Sequence, residues 1–211
     1  MSHRPQAPGT AVELYWIPLG AGPGNALVRL SGRLYERLAA HRAGRPRQAL
    51  YHTALRVRLD EETYVIEMAP VWSSDVEERG EVSVGPVGLP WLGRFRFFRY
   101  EVRRWRNGFI DDRAYAVQSP VRVPTDSAHA ARLLELVAVF PTATWGLDEL
   151  RTGEMWDSNS LISWVLAASG HDTGGLNPPE GGRAPGWQAG LVHAAVGDPL
   201  SVMNRRHAGS A

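Results

Sequence analysis

An α+β fold, with a small antiparallel sheet packed against helices, is predicted by three observations. The stretch Leu50–Ala69 alternates with period two around an acidic break at Asp60, Glu61 and Glu62, which is the pattern of a β-hairpin. Apolar residues at helical spacing occupy Ala26–His41, Ala128–Phe140 and Asp157–Ser169. The chain of 211 residues is 44% hydrophobic and 21% charged, which suits a globular domain able to bury a core.

In chain order, Met1–Thr10 is Pro-rich and is expected to fray, one α+β domain is expected over 11–197, and 198–211 is expected to be disordered. Ala11–Gly20 reads as a strand ended by Pro18 and Gly20. The glycine cluster GAGPGN follows, but its spacing is not G-x-G-x-x-G and no P-loop lysine comes after it, so it is expected to be a turn into a helix. That helix carries Leu27, Leu30, Leu34 and Leu38 as a stripe expected to lie against a sheet. After the hairpin come a loop from Trp72 to Gly80, a short strand GEVSVG, and a Pro/Gly turn region to Gly93. The segment RFRFFRYEVRRW then alternates as a strand, with its aromatics expected inside and its arginines outside. SPVRVPTDS reads as a linker with Asp126 or Ser127 capping the second helix, and Gly170 stops the third. GLNPPEGGRAPGW reads as a surface crossing anchored by Trp187.

Composition excludes several chemistries. There is no Cys, which removes disulfide scaffolds, thiolate metal sites and cysteine nucleophiles, and all 23 basic residues are Arg, which removes Schiff-base lysines. The seven His show no H-x-x-x-H or H-E-x-x-H spacing, so no metal and no cofactor is expected. With 22 acidic residues the net charge is +1, and no long apolar run occurs; a cytoplasmic protein with no nucleic-acid or membrane partner is the expectation.

The chemistry-bearing residues lie in the hairpin and in the third helix. Matching the larger apolar faces of the two strands sets Ala54 opposite Glu67, so His52 and Glu67 share a face as diagonal neighbours, within reach for the carboxylate to orient the imidazole. A register with Glu67 opposite Arg56 removes that reach. In EMWDSNSLISWVL, Asp157 is an N-cap and Ser158 lies in the first helical turn, where free amides favour a developing oxyanion.

YHTALRVRLDEETYVIEMAPV followed far downstream by WDSNSLISWVL resembles the circularly permuted papain-like superfamily related to the NlpC/P60 peptidases. That group includes lecithin:retinol acyltransferase-like and YiiX/YebB-like proteins. The likeness covers these two short segments. It implies a permuted papain-like fold in which His52 matches the base, Glu67 the residue that orients it, and Ser158 the nucleophilic cysteine. Asp157, Asn159, Ser160 and Trp156 then adjoin a small-molecule, peptide or acyl substrate or ligand. The departure is the serine. A helix terminus and an imidazolium can ionise a thiol, but a hydroxyl needs His52 as a general base during attack. Two functions follow from the resemblance: a serine-variant amide or ester hydrolase or acyltransferase, or a catalytically inactive binding module. A third possibility rests on Arg94–Arg106, a basic-aromatic surface for nucleic acid or another anionic partner.

Overall fold

The computed structural model describes residues 9–22, 26–71 and 80–196. The expected frayed start, the tail from 198, the loop Trp72–Gly80 up to residue 79 and part of the glycine cluster lie outside the described residues.

The protein is α+β. Strands β1 (Ala11–Pro18), β2 (Ala49–Leu59), β3 (Glu62–Pro70), β4 (Glu81–Pro86), β5 (Arg99–Arg106) and β6 (Val121–Val123) form an antiparallel sheet in the order β4-β5-β3-β2-β1-β6. A seventh strand, β7 (Gly182–Arg183), pairs in parallel with the start of β2. Helices α1 (Ala26–Arg42), α2 (Ser127–Val137), α3 (Ser158–Ala168) and α4 (Trp187–Val196) complete the fold.

The hairpin has the register that its apolar pattern requires: Leu55 faces Ile66 and Val57 faces Tyr64, which continues to Ala54 opposite Glu67. The β2–β3 ladder runs from Leu55 to Leu59, and the first residues of β2 pair with β7 instead of β3. β2 therefore has a split edge, with β3 along Leu55–Leu59 and β7 at Ala49 and Leu50 only.

Strand alternation gives the sheet two unlike faces. Leu14, Trp16, Leu55, Ile66 and Val102 point to one, where the buried side chains of α2 and α3 close the main core. Tyr15, Ile17, Ala54 and Val65 point to the other, under Ile110 of the segment that follows β5. Two aromatic contacts extend the main core: Trp16 against Trp187, and Phe140 stacked on Trp156. Gly190 lets α4 lie directly on α3, because a side chain there would run into Ser163 and the α3 backbone.

Two expectations are corrected. The leucine stripe of α1 faces outward: Leu30, Leu34 and Leu38 are 65, 58 and 49% exposed. The inner face is made of Gly32, Glu36 and Ala40. The missing side chain of Gly32 admits Leu19 and Leu50, while Glu36 accepts from Arg45 (2.5 Å), from the Gln48 amide (2.9 Å) and from Arg183 of β7 (3.5 Å). These contacts hold its carboxyl below the usual range, chiefly through Arg45. Small and ionic contacts thus set the rotation of the helix.

The basic-aromatic segment is a strand only from Arg99 onward. Pro90–Arg94 and Arg96–Phe98 form two 3-10 turns, pinned by Arg99 donating to the Gly93 and Arg94 carbonyls, with Phe95, Phe97 and Phe98 exposed. Within β5 it is Arg103 that is buried, and Arg104 reaches the Leu134 carbonyl across the main-core face. β6 arises in the expected linker and α4 follows the expected Trp187 anchor.

Candidate functional site

The N-terminus of α3 is built as the sequence suggests. Asp157 accepts from the amides of Asn159 (2.8 Å) and Ser160 (3.3 Å), while Ser160 Oγ accepts from the Asp157 amide (3.1 Å), a reciprocal capping box. Burial pushes the Asp157 carboxyl up to about 8, against the two amide bonds that favour its charged form. Gly186, at φ +83°, sits so close to Asp157 and Ser160 that no side chain fits there, and its carbonyl accepts from Ser160 Oγ at 2.8 Å.

Asn159 joins this helix to the hairpin. Its side chain accepts from Thr53 Oγ1 (2.9 Å) and donates to the carbonyls of Tyr51 (3.0 Å) and Pro185 (2.7 Å). It fills the split edge of β2 where no β3 residue pairs, so a side-chain amide takes over hydrogen bonding that a neighbouring strand performs elsewhere. The two stretches that carry the family resemblance are in contact through this residue.

The remaining expected substrate neighbours have internal roles. Ser160 is consumed by the cap, and Trp156 is buried with its indole N–H on the Pro141 carbonyl. Asn159 is clipped to β2, and Asp157 is the cap itself. Ser158 differs. It is buried as a residue, yet among the described residues its hydroxyl has no hydrogen-bond partner, and it is not sealed from solvent.

The expected triad is not assembled. No hydrogen bond joins Ser158 to His52, and alternation along β2 explains why: Thr53, not His52, points to the face on which α3 packs. His52 lies with Ala54 on the second face, where its Nε2 is 3.0 Å from Asp112 Oδ2. Glu67 is on that same face, as the register requires, but accepts from Arg103 (2.9 Å), which also binds Glu101. Burial raises the Glu67 carboxyl, and Arg103 opposes that rise. The orienting role expected for Glu67 is thus corrected: the carboxylate on His52 is Asp112, from the loop after β5. Nothing local in the sequence of that loop marks its return to β2.

A line of charged contacts runs into the α3 cap from outside. Arg183 lies between Glu36 (3.5 Å) and Glu154 (3.9 Å), and Glu154 accepts from the amides of Gly186 (2.9 Å) and Gln188 (3.3 Å). Among the described residues, no cluster of three or more His, Asp or Glu is placed to hold a metal, and no helix is long and apolar enough to cross a membrane. Comparison of the chain with protein-family models, with curated proteins and with solved structures gives no match.

Proposed function

We propose that the chain has a circularly permuted papain-like scaffold and uses it to bind a small-molecule, peptide or acyl ligand without covalent chemistry. The scaffold reading is supported by the contact between the His-bearing hairpin and the helix that follows it in the permuted order, through Asn159, Thr53 and Tyr51. The observation that carries the non-covalent reading is the separation of roles at the two sites. Ser158 has no base, and His52 is held by Asp112 on the sheet face away from α3. A serine hydroxyl gains too little acidity from a helix terminus to attack unaided. What Ser158 offers is an unpartnered hydroxyl in the first turn of α3, suited to donating to a ligand carbonyl or carboxylate.

A second reading, the serine-variant hydrolase or acyltransferase, needs the Ser158 hydroxyl and the Nδ1 of His52 to meet; both are without protein partners among the described residues, but they lie on opposite faces of the sheet. In that reading Asp112 replaces Glu67 as the orienting carboxylate. Labelling with a phosphonofluoridate decides between the two. The expected result is no adduct at Ser158 and no turnover of an amide and ester panel. An adduct at Ser158 that disappears in Ser158→Ala and in His52→Ala overturns the non-covalent reading and establishes the serine enzyme.

A further inference from the structure

Two exposed apolar segments emerge at one end of the sheet. β1 ends and β2 begins there, with Pro18 opposite Tyr51; β3 ends and β5 begins there, with Pro70 opposite Tyr100; β4 ends there, with Pro86 opposite Arg99. Helix α1 joins β1 to β2 across this end, and the two 3-10 turns join β4 to β5 at it. The open leucine stripe and the open aromatic turns therefore project from the same pole.

Their composition is one-sided. From Pro86 to Arg99 the chain has Arg94, Arg96 and Arg99, no acid, and no amide or hydroxyl side chain; every other residue is apolar, aromatic or glycine. Phe97 is 76% exposed and Trp91 is 56% exposed, with the Arg94 guanidinium stacked over Trp91 at 5.2 Å and Phe95 at 4.7 Å. On α1 the stripe of Leu30, Leu34 and Leu38 is flanked by Arg33 and Arg37, and the helix's one acid, Glu36, is turned inward. A near-neutral chain thus collects leucine, phenylalanine, tryptophan and arginine at one pole and keeps carboxylates off the outward faces of both segments.

We infer that this pole is a docking face for an anionic lipid bilayer, with the α1 leucines and the 3-10 aromatics entering the interface and the arginines meeting lipid headgroups. Leucine with arginine on an outward helix face, and tryptophan and phenylalanine at a turn tip, are the chemistry of interfacial binding. A nucleic-acid surface also uses arginine and aromatics, but it gains nothing from a leucine stripe, and the absence of amide and hydroxyl side chains on the turns leaves nothing there to read bases. The inference goes beyond the ligand-binding reading and stands without it, and it runs against the expectation of no membrane partner drawn from overall charge.

The test is co-sedimentation of the full chain with vesicles of phosphatidylcholine, with and without phosphatidylserine. The wild type is expected to sediment with the phosphatidylserine vesicles and to be released by salt. Leu34→Glu and Phe97→Glu are each expected to weaken the partitioning about tenfold or more, since each removes one inserted apolar side chain. Both residues are exposed, so unfolding midpoints matching the wild type show that the fold is kept. Absence of phosphatidylserine-dependent sedimentation overturns the inference, as does equal binding by wild type and both variants. Binding to a single-stranded oligonucleotide without vesicle binding overturns it in favour of nucleic acid. A dimer dissolved by Leu34→Glu, again without vesicle binding, overturns it in favour of a second copy of the chain.

Discussion

The buried cap of α3 makes a pH-dependent prediction that can be worked through. Asp157 has an ordinary carboxyl value of 3.8 and is pushed up to about 8 in the fold by burial. The native chain then holds this proton more tightly than the unfolded chain. Its contribution to stability is fully present below pH ~4 and is lost as pH rises toward ~8. A gap of about four pH units at about 1.4 kcal/mol each sets a ceiling near 6 kcal/mol, and the slope of stability against pH is the sharper observable. Asp157→Asn keeps an oxygen for the Asn159 and Ser160 amides and remains a good N-cap, but cannot titrate. Burying the new amide N–H groups adds a penalty that does not vary with pH. Urea unfolding at intervals from pH 4 to pH 9 is therefore expected to show the variant gaining on the wild type by up to about 1.4 kcal/mol per pH unit between the two carboxyl values. Other titrating groups, Glu67 among them, cancel in the difference. A wild-type minus variant difference that stays flat across this range refutes the argument: the proton is then not held by the fold.

Other tests address the joints of the structure. Asn159→Ala removes three side-chain hydrogen bonds and leaves the Tyr51 and Pro185 carbonyls without them; a loss of about 2–4 kcal/mol in urea unfolding is expected, and a loss under about 0.5 kcal/mol contradicts the clip. Gly190→Ala is expected to destabilise by about 1–3 kcal/mol because its methyl meets Ser163 and the Ser160 carbonyl, although glycine-to-alanine changes inside helices ordinarily stabilise. Adding Ser163→Ala is expected to restore only part of that loss, since the Ser160 carbonyl remains; the sign of the single variant's shift in unfolding midpoint is the check.

The parts legible in the sequence are those decided within one element or one tight turn. The hairpin register follows from matching apolar faces across a short acidic connection, and the structure has that register. Asp157 as N-cap and Gly170 as the stop of α3 follow from local backbone chemistry. The site failed to follow because its partners are remote. Glu67 meets Arg103 only because β5, and not some other strand, lies beside β3, and the long connection between those strands carries no signal for that order. Asp112 reaches His52 from an irregular loop with no periodicity to read. In α1 the period gave the helix and its stripe, but not which side met the sheet; a glycine and a single glutamate decided that, against the usual direction of burial. The aromatics at Phe95, Phe97 and Phe98 misled for a related reason, since alternation alone does not distinguish a strand from two short turns.

The single glutamate under α1 has a mechanical meaning. A helix seated by oil slides over its neighbour at small cost, whereas this one is held by ionic and polar contacts at Arg29 and Glu36, and the second is shared. Arg183 grips Glu36 with one nitrogen and approaches Glu154 with another, and Glu154 in turn steadies the bend that leans on the first turn of α3. One ionic chain thereby runs from the inner face of α1 to the turn that holds Ser158.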